Sequence, residues 1–336
     1  MIKVGLIGFG GMGGVHAQCY EALSDKVKVV AVADPVEEKR KEAVEKFACD
    51  TYESGEQLIE NADVDMVDIC TPTFLHTKFA VKAMENGINV FMEKPVCLNE
   101  QEAQLLLETE SKTGCKVQIG QVIRFWNEYA WLKNTFESGV YGKLISGVFT
   151  RLSANPNWSW ENWYNDPDRS GTIALDLHVH DVDFVRYLLG EPLDVSSRCT
   201  RNSQGVIEQI FSSYKYENAV VTTEGCWDFA NSFPFTMGYR VKFEKATVVF
   251  DSTATPSLVV YQNSEDKIIP DVTSDFDKGE NTGINISSLG AYYTEINYFV
   301  EALENDTPLL VAPLKEAIKS AELVWKEVEL VGGKKI

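Results

Sequence analysis

Lys3-Val-Gly-Leu-Ile-Gly-Phe-Gly-Gly-Met-Gly13 is the stretch on which the fold of this chain turns. Its first half is a short apolar run, read as a buried strand over Lys3–Gly8. Gly8-Phe9-Gly10-Gly11-Met12-Gly13 then matches G-x-G-x-x-G, and a helix is expected over Val15–Leu23. A strand, this glycine spacing and a helix together form the context in which the pattern means dinucleotide binding. Gly8 permits a tight turn, Gly10 lets the backbone approach a pyrophosphate, and Gly13 lets the helix pack close to the sheet. The helix N-terminus offers N–H groups and a positive dipole end to the phosphates. The bland alternative is a glycine-rich turn, which the flanking elements disfavour.

Outward from this turn, strand-like and helix-like segments alternate to about residue 120. Strands are expected at Val27–Ala33, Asp65–Cys70, Asn89–Met92 and Lys116–Ile119. Helices are expected at Val36–Phe47, Thr77–Asn86 and Gln101–Thr113. Such alternation implies βαβ units and a parallel sheet, an α/β Rossmann domain over residues 1–120. Asp34 follows the second strand, about 20 residues past the glycines. An acid there accepts hydrogen bonds from the adenosine ribose and repels a 2′-phosphate, so NAD is expected over NADP. The same residue also reads as the start of an Asp-Pro turn.

After residue 120 the pattern changes. Helices at Glu128–Ser138 and Asp176–Leu189 precede strand-like runs at Leu193–Arg198, Val206–Tyr214, Ala219–Trp227, Tyr239–Glu244, Thr247–Phe250 and Leu258–Tyr261; Leu144–Leu152 is a further strand. Their close succession suggests an antiparallel meander. Residues 121–336 are thus expected to form an α+β substrate domain on a large open, mostly antiparallel sheet. A loop is expected at Pro270–Ser288, then helices at Tyr292–Leu303 and Leu314–Val328, the last able to pack back on the first domain.

The bulk properties exclude several classes of function. A net charge of −19 repels phosphate backbones and anionic membranes, so neither nucleic acid nor membrane is an expected partner. The seven cysteines are scattered and form no C-x-x-C pair, which argues against disulfides and a zinc site and for a reducing cytosol. No apolar stretch approaches 18 residues, and a cytoplasmic location is expected.

Glu93-Lys94-Pro95 stands just past the Asn89–Met92 strand, and Thr71-Pro72-Thr73 with His76 follows the preceding one. Ligands of open α/β sheets bind outside these strand ends. Further on, Leu175-Asp-Leu-His-Val-His-Asp-Val-Asp183 opens a helix. Val182, Val185, Leu188 and Leu189 form its apolar stripe. Asp176, His180 and Asp183 fall at i, i+4 and i+7 on another face, away from His178. Three readings of this face compete: proton transfer by His180 with Asp176 orienting it, a metal site using His178 and His180, or a helix cap plus a core histidine. Residues at i and i+2 point apart, which disfavours the metal.

In order and spacing, these motifs resemble the glucose-fructose oxidoreductase/inositol dehydrogenase/MocA family over nearly the whole chain. The resemblance implies Lys94 and His180 as a catalytic pair and Asp176 as a substrate or orienting group. It implies a cis bond at Lys94–Pro95 and cofactor contacts from Thr71, Pro72, His76, Glu93 and Lys94. It also implies pairing of subunits into a homodimer or homotetramer. The chain departs from the family pattern in two places. Thr172-Ile173 replaces a run of glycines after Gly171, and His178 replaces a small residue. Arg124, Trp126, Asn155 and Trp163, with Trp158, Trp160 and Tyr164, are further candidates to line a sugar pocket, although tryptophans more often anchor cores. The expected reaction is hydride exchange between NAD(H) and a secondary alcohol of a sugar, cyclic polyol or sugar derivative. Two alternatives stay open: an NAD-dependent glycosidase that recycles its cofactor, and a non-catalytic dinucleotide and sugar sensor.

Overall fold

The computed structural model describes residues 1–156, 159–264, 266–273 and 289–333. The chain begins β1 (Ile2–Ile7), α1 (Gly11–Ala22), β2 (Val27–Ala33), α2 (Glu37–Phe47), β3 (Asp50–Tyr52), α3 (Gly55–Asn61), β4 (Met66–Ile69), α4 (His76–Glu85), β5 (Asn89–Glu93), α5 (Glu100–Thr113) and β6 (Val117–Gly120). It continues α6 (Asn127–Ser138), β7 (Leu144–Ala154), α7 (Pro167–Ser170), a π-helical turn at Ala174–His178 and α8 (Val179–Leu189). Strands β8 (Asp194–Arg201), β9 (Ile207–Lys215), β10 (Val220–Phe229), β11 (Thr236–Phe243), β12 (Ala246–Asp251) and β13 (Leu258–Gln262) follow, then α9 (Gly290–Glu304) and α10 (Leu314–Leu330).

Two compact units divide the chain. One comprises Met1–Phe125 and Ser274–Ile318, the other Trp126–Thr273 and Lys319–Ile336. The boundary therefore falls five residues past the expected one, and α9 groups with the first unit rather than the second. The physical reason is packing: α9 lies against α1, and the Phe91 and Phe299 rings meet at 5.8 Å. The helix placed back with the first half is thus α9, while α10 runs from one unit into the other.

In the first unit all sheet pairings are parallel, in the order β3-β2-β1-β4-β5-β6. The order reverses between β1 and β4, the switch point at which such sheets bind ligands. Met66-Val-Asp-Ile69 is buried at every position, as a central parallel strand covered on both faces must be. Two short elements escape the sequence pattern: β3 has three residues and α3 seven, too few to show a period.

The second unit carries a seven-stranded sheet, β13-β12-β11-β7-β10-β9-β8. The expected meander holds on either side of β7, but β7 itself lies between β11 and β10 and pairs with β10 in parallel. Alternation along a strand identifies its faces, not its neighbours, so this insertion leaves no local trace. Tyr129, Phe149, Phe184, Tyr239 and Phe250 interlock on the inner face, with the Tyr129 and Phe184 rings edge to face at 4.8 Å. No helix among the described residues is long and apolar enough to cross a membrane. The loop expected at Pro270–Ser288 lies from residue 274 onward outside the described residues.

Candidate active site

The glycine turn has the backbone its sequence demands. Gly8 sits at φ 93°, and a Cβ there would stand 2.7 Å from the Cys70 carbonyl oxygen. A Cβ on Gly13 would stand 2.0 Å from the Gly8 oxygen, so only glycine lets α1 start this close to the strand. Around Gly10 the space is open, and α1 has neither a side-chain cap nor an acid in its first turn. Its leading amides at Gly11, Met12 and Gly13 therefore present an uncompensated positive end. That is the donor set a pyrophosphate needs, and the residues present fit NAD.

Asp34 closes this turn from β2. Its Oδ2 accepts the Phe9 N–H at 2.8 Å and its Oδ1 the Val36 N–H at 2.8 Å. The second bond is the Asp-Pro turn anticipated from sequence; the first ties β2 to the glycine loop. Each oxygen retains a second lone pair for a ribose hydroxyl. Arg40 folds back onto the Asp34 and Pro35 carbonyls.

Beyond β4 and β5 the two other motifs meet. His76, 1% exposed, lies within 2.8 Å of the Thr71 carbonyl oxygen through Nε2 and of the Pro95 carbonyl oxygen through Nδ1. It therefore joins the Thr71-Pro72 turn to the Glu93-Lys94-Pro95 turn. Burial pulls its pKa below the usual imidazole value, although both carbonyls favour the charged form. His76 is thus a strut between two loops, and the expected contact with cofactor remains a proposal. The Lys94–Pro95 peptide is cis, as the motif implied.

A buried network unread in the sequence lies directly behind Lys94. Glu93 Oε2 accepts the Lys94 N–H at 3.1 Å, and its Oε1 lies 3.1 Å from His16 Nε2. His16 Nδ1 bonds Asp68 Oδ2 at 2.8 Å, which also accepts the Tyr20 hydroxyl at 2.8 Å. Burial opposes charge on His16, but the Asp68 carboxylate and the Cys70 thiol outweigh it and raise its pKa well above 6.5. The signal was Asp68 itself, an acid in the middle of a fully buried strand, which requires a partner.

In the second unit the helix bearing the histidines begins with a π turn, a feature frequent at functional sites. It follows Gly171 and Thr172 at φ 68° and 63°. Thr172 thus holds a left-handed backbone, a costly state for a β-branched residue. The acid–base residues of this segment separate sharply. Asp181 is bound by Arg151 at 2.9 and 3.3 Å, Asp183 by the Ser320 hydroxyl at 2.7 Å, and His178 by Glu327 at 2.8 Å. These three are 0–1% exposed, whereas Asp176 and His180 retain 8% and 9%. Asp183 is thus engaged by Ser320 and fully buried. Groups with metal-donor geometry among the described residues are His16–Asp68–Cys70 and His16–Glu93–Glu295, and neither includes this helix.

The remaining candidates are placed unevenly. Asn155 exchanges amide hydrogen bonds with Asn165 at 3.1 and 3.4 Å, and Trp163 lies on Tyr164 with ring centroids 4.1 Å apart. Trp160 is 48% exposed with the Arg169 guanidinium over its ring. Arg124 is buried in a short 3-10 turn at Val122–Phe125, and Trp126 precedes α6. Trp158 lies outside the described residues.

Comparison with known proteins follows the same two halves. Residues 2–121 match the model of an oxidoreductase family with an NAD-binding Rossmann fold, and residues 129–249 match the GFO/IDH/MocA C-terminal domain. A scyllo-inositol 2-dehydrogenase (NAD(+)) of Bacillus subtilis is 27% identical over 94% of this chain and 90% of its own. Inositol 2-dehydrogenase 4 of Saccharopolyspora erythraea is 32% identical over 72% of this chain and 70% of its own. Among solved structures, a levoglucosan dehydrogenase in complex with NADH and levoglucosan shares the fold. It superposes with a TM-score of 0.84 at 21% identity, over 98% of this chain and 97% of that one.

Proposed function

We infer that this chain, which belongs to the GFO/IDH/MocA family of NAD-dependent oxidoreductases, oxidises a secondary alcohol of a cyclic polyol or sugar to the ketone. The observation that carries the reading is the sorting of one helix. His178, Asp181 and Asp183 are bound to buried partners and are 0–1% exposed, while Asp176 and His180, although buried, keep 8% and 9%. Two inositol dehydrogenases among the relatives support a polyol as substrate.

The α1 amides and Asp34 would hold the dinucleotide by its pyrophosphate and ribose. Bound there, the dinucleotide would supply the acceptor for the substrate's carbon-bound hydrogen and its electron pair. His180 takes the hydroxyl proton. The Lys94 ammonium stabilises negative charge on the substrate oxygen, and Asp176 orients His180 or a second hydroxyl. NADH formation is followed with NAD⁺ and a panel of inositols, aldoses and amino sugars. Lys94→Ala and His180→Ala should each lose about 10²–10⁴ in turnover and still bind NADH. Undiminished turnover in either refutes that residue's role. Silence of wild type across the panel, with NADH bound, refutes the dehydrogenase reading for these alcohols.

We also propose a cytoplasmic homodimer or homotetramer. Seven free thiols suit a reducing compartment. The outer face of the seven-stranded sheet exposes Phe211, Val220 and Tyr261 at 40%, 50% and 48%, a surface suited to a second copy. A monomer by light scattering would overturn the oligomer.

A further inference from the structure

The Glu93 carboxylate receives one donor on each oxygen. Lys94 supplies its backbone N–H to Oε2, and His16 faces Oε1. The far end of the imidazole is anchored on Asp68, with the Cys70 sulfur 3.2 Å from the same nitrogen. Its ring meets Phe91 edge to face at 5.6 Å and a tilted Tyr292 ring at 6.1 Å. Gly120, at the end of β6, makes room for the carboxylate: a Cβ there would stand 3.2 Å from Oε1. Glu295 of α9 completes the cluster. It is 0% exposed, neither carboxylate oxygen has a hydrogen-bond partner, and it lies within 4.8 Å of the His16 and Glu93 atoms. Burial, with the Glu93 charge beside it, pushes its pKa well above 4.5 and so favours the neutral acid. The other titratable groups facing this cluster, Cys19 and Tyr20 of α1, are raised by burial and also neutral.

Apolar side chains of similar volume would hold these strands together at no electrostatic cost. What an apolar core cannot do is set the direction of one backbone N–H beside a reactive lysine. His16 also stands three residues past Gly13 on the helix whose first turn is the candidate phosphate site. One rigid element would then register both cofactor and lysine.

We propose that His16 is a positioning residue for Lys94, acting through the Glu93 carboxylate. The proposal rests on the reading that Lys94 serves the reaction. Its test compares His16→Gln with His16→Asn in the NAD-loaded enzyme, on the cyclic polyol turned over fastest in the panel. Glutamine carries its amide donor near the place of Nε2, toward Glu93; asparagine carries it near Nδ1, toward Asp68. Both lose the same ring and charge, so a purely structural defect strikes them alike. His16→Asn should lower kcat about 30- to 100-fold with the KM for NAD⁺ unchanged, and His16→Gln should recover to within about fivefold. In the His16→Asn crystal structure the Glu93 Oε2 to Lys94 N separation should open beyond hydrogen-bond length. Equal kcat in the two variants, or an unmoved Glu93 in the crystal, overturns the proposal while leaving Lys94 in place. Undiminished turnover in Lys94→Ala instead overturns the role of Lys94 on which it rests. Where neither His16 variant folds, Glu93→Gln decides. An amide has one acceptor oxygen for two donors, so kcat should fall at least about tenfold with NADH binding intact, and an unchanged kcat overturns the proposal. A stoichiometric metal in the purified protein also overturns it, because a cation would replace the protons on which this network is built.

Discussion

Replacing Glu295 by glutamine should change the pH dependence of stability in a direction opposite to the usual loss of a carboxylate. Burial and the neighbouring Glu93 raise the folded pKa of Glu295 well above its unfolded value of 4.5. Between those two values the folded state holds the proton more tightly than the unfolded chain. The Glu295 contribution to stability is therefore fully present below pH 4.5 and falls as pH rises, by about 1.4 kcal/mol per pH unit while the folded acid stays neutral. Glutamine is neutral in both states and removes that slope. From pH 5.0 to 6.5 the variant should gain on wild type by about 2 kcal/mol, beyond any constant offset from the amide itself. The window is chosen below 6.5, because His16 is also raised and adds a slope of the same sign only above that value. All seven tryptophans lie in residues 126–325, within the second unit, so fluorescence would follow the wrong part of the chain. Amide exchange of β1 and β4 reports the first unit, and comparison at equal pH cancels the intrinsic exchange rate. The expected gain is about a 30-fold increase in relative protection over the window. A difference that is constant with pH refutes the buried neutral acid.

Gly120→Ala pushes a methyl group to 3.2 Å from Glu93 Oε1 and should lower kcat about tenfold with NADH affinity retained; an unchanged kcat counts against the positioning chain. Thr172→Gly relieves a left-handed β-branched residue and should raise the tryptophan-monitored stability of the second unit by about 0.5–1 kcal/mol, after the entropy cost of glycine is subtracted. A loss of stability would show that the threonine side chain contributes more than its backbone costs. Asp34→Ala frees the Phe9 N–H and removes the acid that repels a 2′-phosphate. NADH affinity by fluorescence titration should fall about 10- to 100-fold, and discrimination against NADPH should shrink; preserved discrimination refutes the role of Asp34.

The dinucleotide turn was legible because its determinants are local. Gly8 is required by its own positive φ and Gly13 by the Gly8 carbonyl five residues before it, and the apolar run of β1 and the helix α1 flank them directly. Most strand and helix positions were legible for the same reason. The order of strands was not, since the placement of β7 between β11 and β10 depends on pairing across more than 60 residues. The His16 network was hidden in the same way: its members come from α1, β4, β5 and α9, and a single buried histidine on a helix has no period. The split among Asp176, His178, His180, Asp181 and Asp183 was half legible. Helical spacing separated His178 from His180, but the π turn and the Ser320 partner of Asp183 come from outside the motif.

His178 is a large side chain that the packing of the second unit absorbs. A larger side chain at that position could alter either the substrate pocket or the packing beneath it. The structure favours the second. The ring is 0% exposed, its Nε2 bonds Glu327 at 2.8 Å, and Glu327 is fixed in turn by the Tyr214 hydroxyl at 2.5 Å. Space for the ring comes from Gly225 on β10, where a Cβ would lie 3.0–3.3 Å from the His178 side chain. The cost of a large residue in the helix is met by the smallest residue in the facing strand. Both units thus keep a buried histidine against a buried acid, His16 with Asp68 and His178 with Glu327, each histidine within three residues of a segment proposed for the site. In both, the buried histidine bonds a buried acid, and a residue proposed for the chemistry, Lys94 or His180, stands nearby in the sequence. Substrate preference should then respond to changes at Asp176 and His180 far more than to His178→Gln, which keeps a hydrogen-bond donor toward Glu327 without touching the exposed face.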